Sequence, residues 1–173
     1  AQRDWHYVQG FFGWACGFSD REITALMGAH VLGRTHANNS GFDGPWVTGT
    51  NAGLKFDNQF YLGLMTVEWI KEPNNFTNFP GRYQWNQGGV GSGLQMFLTS
   101  DVALLITNPN DPRCTSSLLD TTTLSAAEAV PKDPDCLKNN VTFLIVDEYA
   151  RSQAIFFRDF SIAFQKLCEL GYP

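Results

Sequence analysis

Basic residues are in short supply in this sequence, where 12 Lys and Arg stand against 17 Asp and Glu to leave a formal net charge of −5 and a pI near 5.0. A nucleic acid or an anionic membrane surface requires a basic face, so neither is an expected partner. An acidic surface suits a cationic protein instead. Long apolar runs are also lacking. No stretch of about 18 residues is apolar throughout, which excludes a transmembrane helix, and Ala1-Gln2-Arg3-Asp4 does not open a signal peptide. The chain is therefore expected to be soluble, with the missing initiator Met reflecting processing. Internal repeats are absent and strand-like alternation is rare. The Gly-rich run from Gly88 to Gly93 lacks the Lys-Ser/Thr of a phosphate-binding loop and reads as a flexible connection.

What is present is enough for one core: 173 residues, 43% of them hydrophobic and 14% aromatic, fit one domain or half of a larger one. Trp5, Val8, Phe11, Phe12 and Ala15 recur near the helical period over residues 4 to 16, and Gly17 ends that run. Ser19-Asp20-Arg21-Glu22 then forms a capping box, from which a second helix starts. Ile23, Leu26, Met27 and His30 follow at offsets of three and four, so one stripe of that helix carries an imidazole and points it into something buried. Residues 38 to 58 read as a packed loop, 59 to 70 as a helix, 73 to 93 as turns, and 98 to 106 as a short helix. A polar excursion spans 108 to 142. Ser152 to Leu170 is a long amphipathic helix with Ile155, Phe156, Phe160, Ala163, Phe164 and Leu167 on its buried side.

Four cysteines fall into two kinds. Cys16 and Cys168 lie in helical stretches and read as buried free thiols. Cys114 and Cys136 flank a polar segment, and they close a disulfide loop in an oxidising compartment or stay reduced elsewhere. Sequons stand at Asn38, Asn75 and Asn140, at a frequency that chance explains in an Asn-rich chain.

A lone His on an apolar helix face is more often a core residue than a ligand. The neighbourhood of His30 changes that. DREITALMGAHVLGRTH followed by NSGFDGPW resembles the proximal-helix motif of class I haem peroxidases, the cytochrome c peroxidase and ascorbate peroxidase family. The resemblance continues through FDNQFYLGLM, LTSDVALL and YARSQAIFFRDFSIAFQKLCELGY. It implies a mainly α chain, the proximal half of the haem-peroxidase helical fold over residues 1 to 173, with long loops, little strand and an insertion at about 108 to 142. It also implies haem b, with His30 as the axial iron ligand, Asp101 accepting the His30 Nδ1 hydrogen and Trp46 beneath the haem. A carboxylate on the far nitrogen of a ligating imidazole fixes its tautomer and favours oxidised iron. An indole N–H can donate to the same carboxylate. In the cytochrome c peroxidase branch that tryptophan holds an oxidising equivalent, which would make Trp46 and Asp101 the catalytic pair. Taken one by one, Trp46 could be core and Asp101 a helix cap.

Arg34 and His36 match positions near the haem propionates, against the plainer reading of a solvated helix end. Asp57 matches an acidic cation ligand of the ascorbate peroxidase branch, with Thr48 and Asn51 as helpers. Val31, however, stands where a hydroxyl ligand belongs, which argues against a bound alkali cation. Asn39 replaces the arginine that assists ascorbate binding, and FYLGLMTVEW is nearer the cytochrome c peroxidase pattern, so the implied donor is a protein. No segment matches the distal RLAWHD motif, and Trp5-His6 is no substitute. Two expectations follow. One is an accessory subunit without turnover, its open face around Trp46 and Leu26 covered by other subunits of an organellar assembly, respiratory or photosynthetic, to which it would be peripheral. The other is half of an active peroxidase completed by a separate chain. The compartment expected is a mitochondrion or plastid, with an oxidising lumen or intermembrane space if the disulfide forms.

Overall fold

The computed structural model describes residues 2–49, 52–74, 78–87, 95–116, 119–120, 130–131 and 133–171. It is mostly helical with a few short strands. Helix α1 (Trp5–Gln9) starts on the Asp4 side chain, which accepts the Tyr7 N–H, and continues as a π-wound turn over Gly10–Ala15. The wider winding shifts the apolar stripe, so that Trp5 and Val8 are buried while Phe11 and Ala15 face outward, unlike the uniform helix expected from the spacing.

Helix α2 (Asp20–Met27) begins on the expected capping box, with Ser19 N–H donating to Glu22 at 2.7 Å. At Gly28 it tightens into a 3₁₀ turn (Gly28–Val31) that carries His30. There a Cβ would meet the Tyr61 hydroxyl at 2.5 Å and the Phe156 ring at 2.6 Å, so only glycine fits. Short strands β1 (Arg34–Thr35) and β2 (Gly44–Pro45) pair around helix α3 (Ala37–Ser40) and return the chain to Trp46.

The expected helix over 59 to 70 is shorter: α4 (Gln59–Thr66) stops where β-branched Val67 goes extended and the Trp69 indole donates to the Gly63 carbonyl at 3.1 Å. Strands β3 (Trp69–Asn74), β4 (Arg82–Gln87) and β5 (Met96–Phe97) form an antiparallel sheet where turns were expected. Trp69 and Trp85 sink into the core, and Gln84 bridges Asp43, accepting its N–H and donating to its carbonyl. The Gly-rich run and Asn75 lie outside the described residues. So does Asn51.

Helix α5 (Thr99–Val102) is one turn long rather than reaching residue 106. The carbonyls beyond it are claimed by the end of the 108 to 142 excursion: Asn139 donates to Ala103 at 2.8 Å and Thr142 to Leu104 at 2.7 Å. Within that excursion β6 (Leu119–Asp120) pairs with β7 (Val130–Pro131). Residues 117–118, 121–129 and 132 lie outside the described set. Helix α6 (Phe143–Arg151), absent from the sequence reading, packs on α4, and α7 (Gln153–Glu169), the expected C-terminal helix, lies against α2. Arg21 of α2 bonds Asp159 of α7 at 2.6 Å and pairs with Glu148 of α6, while Lys166 reaches Glu22 at 3.0 Å. Phe164 and Leu167 are exposed along α7, although the helical period put them on its buried face.

Cys114 and Cys136 are joined, with Cα atoms 5.2 Å apart and both residues buried. Cys16 and Cys168 are free, but Cys16 is half-exposed and Cys168 exposed, which corrects the expectation that both are buried. The sequons at Asn38 and Asn140 are exposed. Loop-closure entropy over a sequence separation of 22 is expected to stabilise the chain by about 3 kcal/mol relative to the Cys114→Ala, Cys136→Ala double variant. Urea unfolding of the two proteins checks this, and equal midpoints would mean that the native chain does not hold the bond.

Candidate functional site

Two side chains and one backbone amide meet at the carboxylate of Asp101. His30 approaches from the 3₁₀ turn, its Nδ1 2.9 Å from Asp101 Oδ1. Trp46 arrives after β2 and donates its indole N–H to Oδ2 at 2.8 Å. The Leu98 amide donates to the same oxygen at 2.8 Å, closing the first turn of α5. Asp101 is fully buried, and a carboxylate in that position must have its lone pairs matched by donors. The indole and amide are donors only, so with the carboxylate ionised His30 Nδ1 carries its hydrogen and Nε2 is left with the lone pair.

The imidazole lies over the Trp46 indole, centroids 4.4 Å apart and planes 22° apart, with the Phe60 ring edge-on at 6.0 Å. Two flanking rings and one hydrogen bond thus fix the His30 rotamer. Burial tends to lower the His30 pKa, but the Asp101 charge and hydrogen bond outweigh it and raise it above the ordinary value. A metal at Nε2 would have to displace that proton. The His30 side chain is 36% exposed and lines a cavity of about 460 Å³ whose other walls include Phe12, Leu26, Met27, Phe160 and Phe164. An imidazole nitrogen with no partner among the described residues, anchored from behind by a buried carboxylate and set in an apolar cavity of ligand size, fits an axial haem ligand.

The other residues named from the sequence sit elsewhere. Arg34 is exposed and reaches Asp43 only at 3.4 Å, while His36 is exposed at the start of α3; neither lines the cavity. Arg3 does line it, a cation that sequence reasoning missed because nothing around it repeats a motif. Trp46 is only 7% exposed, so it is not on the open face expected around it, whereas Leu26 does border the cavity. Asp57 is buried beside a second cavity of about 300 Å³ lined by Val31, Thr48 and Lys55. Its oxygens are already engaged, Oδ1 by the Gln59 amide at 3.0 Å and Oδ2 by the Lys55 ammonium at 3.2 Å. With Lys55 supplying the positive charge and Val31 no hydroxyl, this donor set does not fit an alkali cation. Phe60 and the Leu98 amide also escaped the sequence reading: one looked like ordinary core, and a backbone donor leaves no signature.

No protein-family model matches the chain. Individual relatives do. The mitochondrial cytochrome c peroxidase of Candida glabrata is 37% identical over 169 residues, 98% of this chain and 35% of the relative. That of Aspergillus fumigatus is 32% identical over 173 residues, 100% of this chain and 36% of the relative. The chain is homologous to the cytochrome c peroxidases across its whole length. A putative heme-binding peroxidase of Cryptococcus neoformans is 35% identical over 165 residues, 95% of this chain and 37% of that protein. The chain thus spans about a third of the length of these peroxidases. Its mostly helical fold with short strands agrees with part of a peroxidase.

Proposed function

We propose that this chain is the proximal, haem-ligating part of a peroxidase of the cytochrome c peroxidase kind, with His30 as the axial ligand. The observation that carries the reading is the convergence of His30 and Trp46 on buried Asp101, at 2.9 and 2.8 Å, behind an imidazole nitrogen that faces a cavity. Bound haem supplies a redox-active iron. Asp101 holds the Nδ1 hydrogen and so keeps Nε2 available and electron-rich; Trp46 fixes the ring plane from below and offers an oxidisable indole against it. Arg3 is placed to meet a carboxylate at the cavity wall. Leu26, Met27 and Phe160 would supply an apolar wall to a haem bound in this cavity and keep water from it.

Peroxide reduction with a protein electron donor is then the activity of the assembled peroxidase, its distal groups coming from outside these 173 residues. The acidic balance suits a cationic donor. The relatives named as mitochondrial, together with the buried Cys114–Cys136 bond, favour a mitochondrial compartment that permits disulfides, such as the intermembrane space. No observation favours the accessory-subunit expectation.

Haem titration into the purified chain tests the reading. Saturable binding of one haem per chain with the absorption of a histidine-ligated iron is expected, lost in His30→Ala and weakened about 10- to 100-fold in Asp101→Asn. Equal binding and an equal spectrum in His30→Ala would remove His30 from the role.

A further inference from the structure

We infer that Tyr61 is a positioning residue for His30: its hydroxyl stands inside the backbone ladder of α2 and sets the turn that aims the imidazole at Asp101. In a continuous α-helix the Gly28 N–H would bond the Thr24 carbonyl four residues back. Here the Gly28 N–H turns to the Ala25 and Leu26 carbonyls instead. The Thr24 carbonyl is taken by the Tyr61 hydroxyl at 2.8 Å, with the Ala25 carbonyl 3.2 Å from the same oxygen. Thr24 cannot close the gap itself, because its own hydroxyl bonds the Asp20 carbonyl at 2.7 Å. A side chain inserted at this point in the ladder is a recognised cause of a bend or a local change of winding.

The position of the change gives it its consequence. From Gly28 the helix runs as a 3₁₀ turn, at about 120° per residue instead of about 100°, so His30, two steps on, is rotated by about 40° from where an α-helix would leave it. A hydrogen bond of 2.9 Å to Asp101 does not survive a swing of that size. Tyr61 can hold the turn because it is itself immobile. It is fully buried on α4, ring-packed against Phe60, Tyr149 and Phe156. Its hydroxyl lies where a Gly28 Cβ would stand. Burial raises the phenol pKa well above the usual value, with the Tyr149 contribution in the same sense. The phenol stays protonated and keeps its donor. Phe60, the preceding residue, sets its ring against the imidazole, so one helix both turns His30 and walls it.

The importance of the aim rests on the reading of His30 as a ligand, but the test needs no haem, so failure of haem binding leaves it intact. In the haem-free chain labelled with nitrogen-15, the His30 Nδ1–H proton resonance reports the Asp101 bond and amide exchange reports the turn. Tyr61→Phe, which removes only the hydroxyl, is expected to shift or broaden the His30 resonance and to speed Gly28 amide exchange about 10-fold. Tyr149→Phe removes another phenol of the same cluster, bonded to Asp159 at 3.0 Å, and should lower stability while leaving the His30 resonance in place. An unmoved His30 resonance in Tyr61→Phe, or an equal shift in Tyr149→Phe, would overturn the assignment. Should Tyr61→Phe not fold, the unaltered chain decides: a Gly28 amide protected like those within α2 supports the assignment, and one exchanging freely overturns it.

Discussion

Asp101→Ala is expected to lower the unfolding free energy by about 3 to 5 kcal/mol, the largest effect of any single substitution at the site. The carboxylate is fully buried and takes hydrogen bonds from His30, Trp46 and the Leu98 amide. Truncation strands donors from three separate segments at once, each costing about 1 to 3 kcal/mol if water does not reach it. The imidazole at the cavity edge can be rehydrated; the indole and the amide are enclosed. Asp101→Asn keeps the shape but sets an amide group against a donor, so a smaller loss is expected. His30→Ala should cost less again, because Asp101 keeps two donors. The His30 contribution also has a definite pH sign. Its folded pKa is raised, so the stabilisation is fully present below the unfolded value of about 6.5 and is lost as pH rises through the folded value. The gap between the native chain and His30→Ala should therefore narrow from about pH 6.5 upward. Urea unfolding of the haem-free proteins measures all of this, and a loss under about 1 kcal/mol in Asp101→Ala would show that the three donors are not stranded.

The parts of this molecule that were legible in the sequence are those where one local signal suffices. The capping box at Ser19 marks where α2 starts, and the amphipathic period of α7 marks its length, because each rests on contacts between residues three and four apart. The β3–β4 hairpin was hidden, since Pro73 and the Asn-rich stretch beside it look like turn while the pairing partner lies a dozen residues on. Helix α5 is shorter than its composition suggests, because Ala103 to Leu105 surrender their carbonyls to Asn139 and Thr142 from a distant segment. Of the site, His30, Trp46 and Asp101 were named through a family motif, not through any rule of spacing. The 3₁₀ turn, the Phe60 wall and the Tyr61 hydroxyl leave no such mark, since each depends on which helix packs beneath α2.

These 173 residues with haem added are expected to bind it through His30 and yet to oxidise a donor with peroxide no faster than about the rate of free haem. Proximal ligation tunes the iron, but cleaving an O–O bond also needs a proton acceptor and a charge-stabilising donor on the opposite side. A positioned acid-base group alone contributes about 10²- to 10⁴-fold, and a well-aimed donor about 10²- to 10³-fold. The sequence has three histidines. His30 is committed to Asp101, His36 is exposed at α3, and His6 is exposed on α1 and does not line the cavity. Arg3 reaches the cavity, but a guanidinium is no base, and it lies over the Tyr7 ring at 4.5 Å. On the proposed reading His30 holds haem, and among the described residues the cavity is lined by no second histidine that could act as a base beside Arg3. Donor oxidation followed by stopped flow, beside His30→Ala and free haem, measures this. A polypeptide that also carries a distal base and arginine should run at least about 10²-fold faster. His30-dependent turnover well above free haem from these residues alone, with no second polypeptide detectable by mass spectrometry, would falsify the division of labour, because the acid-base chemistry would then have to come from a group within the described cavity.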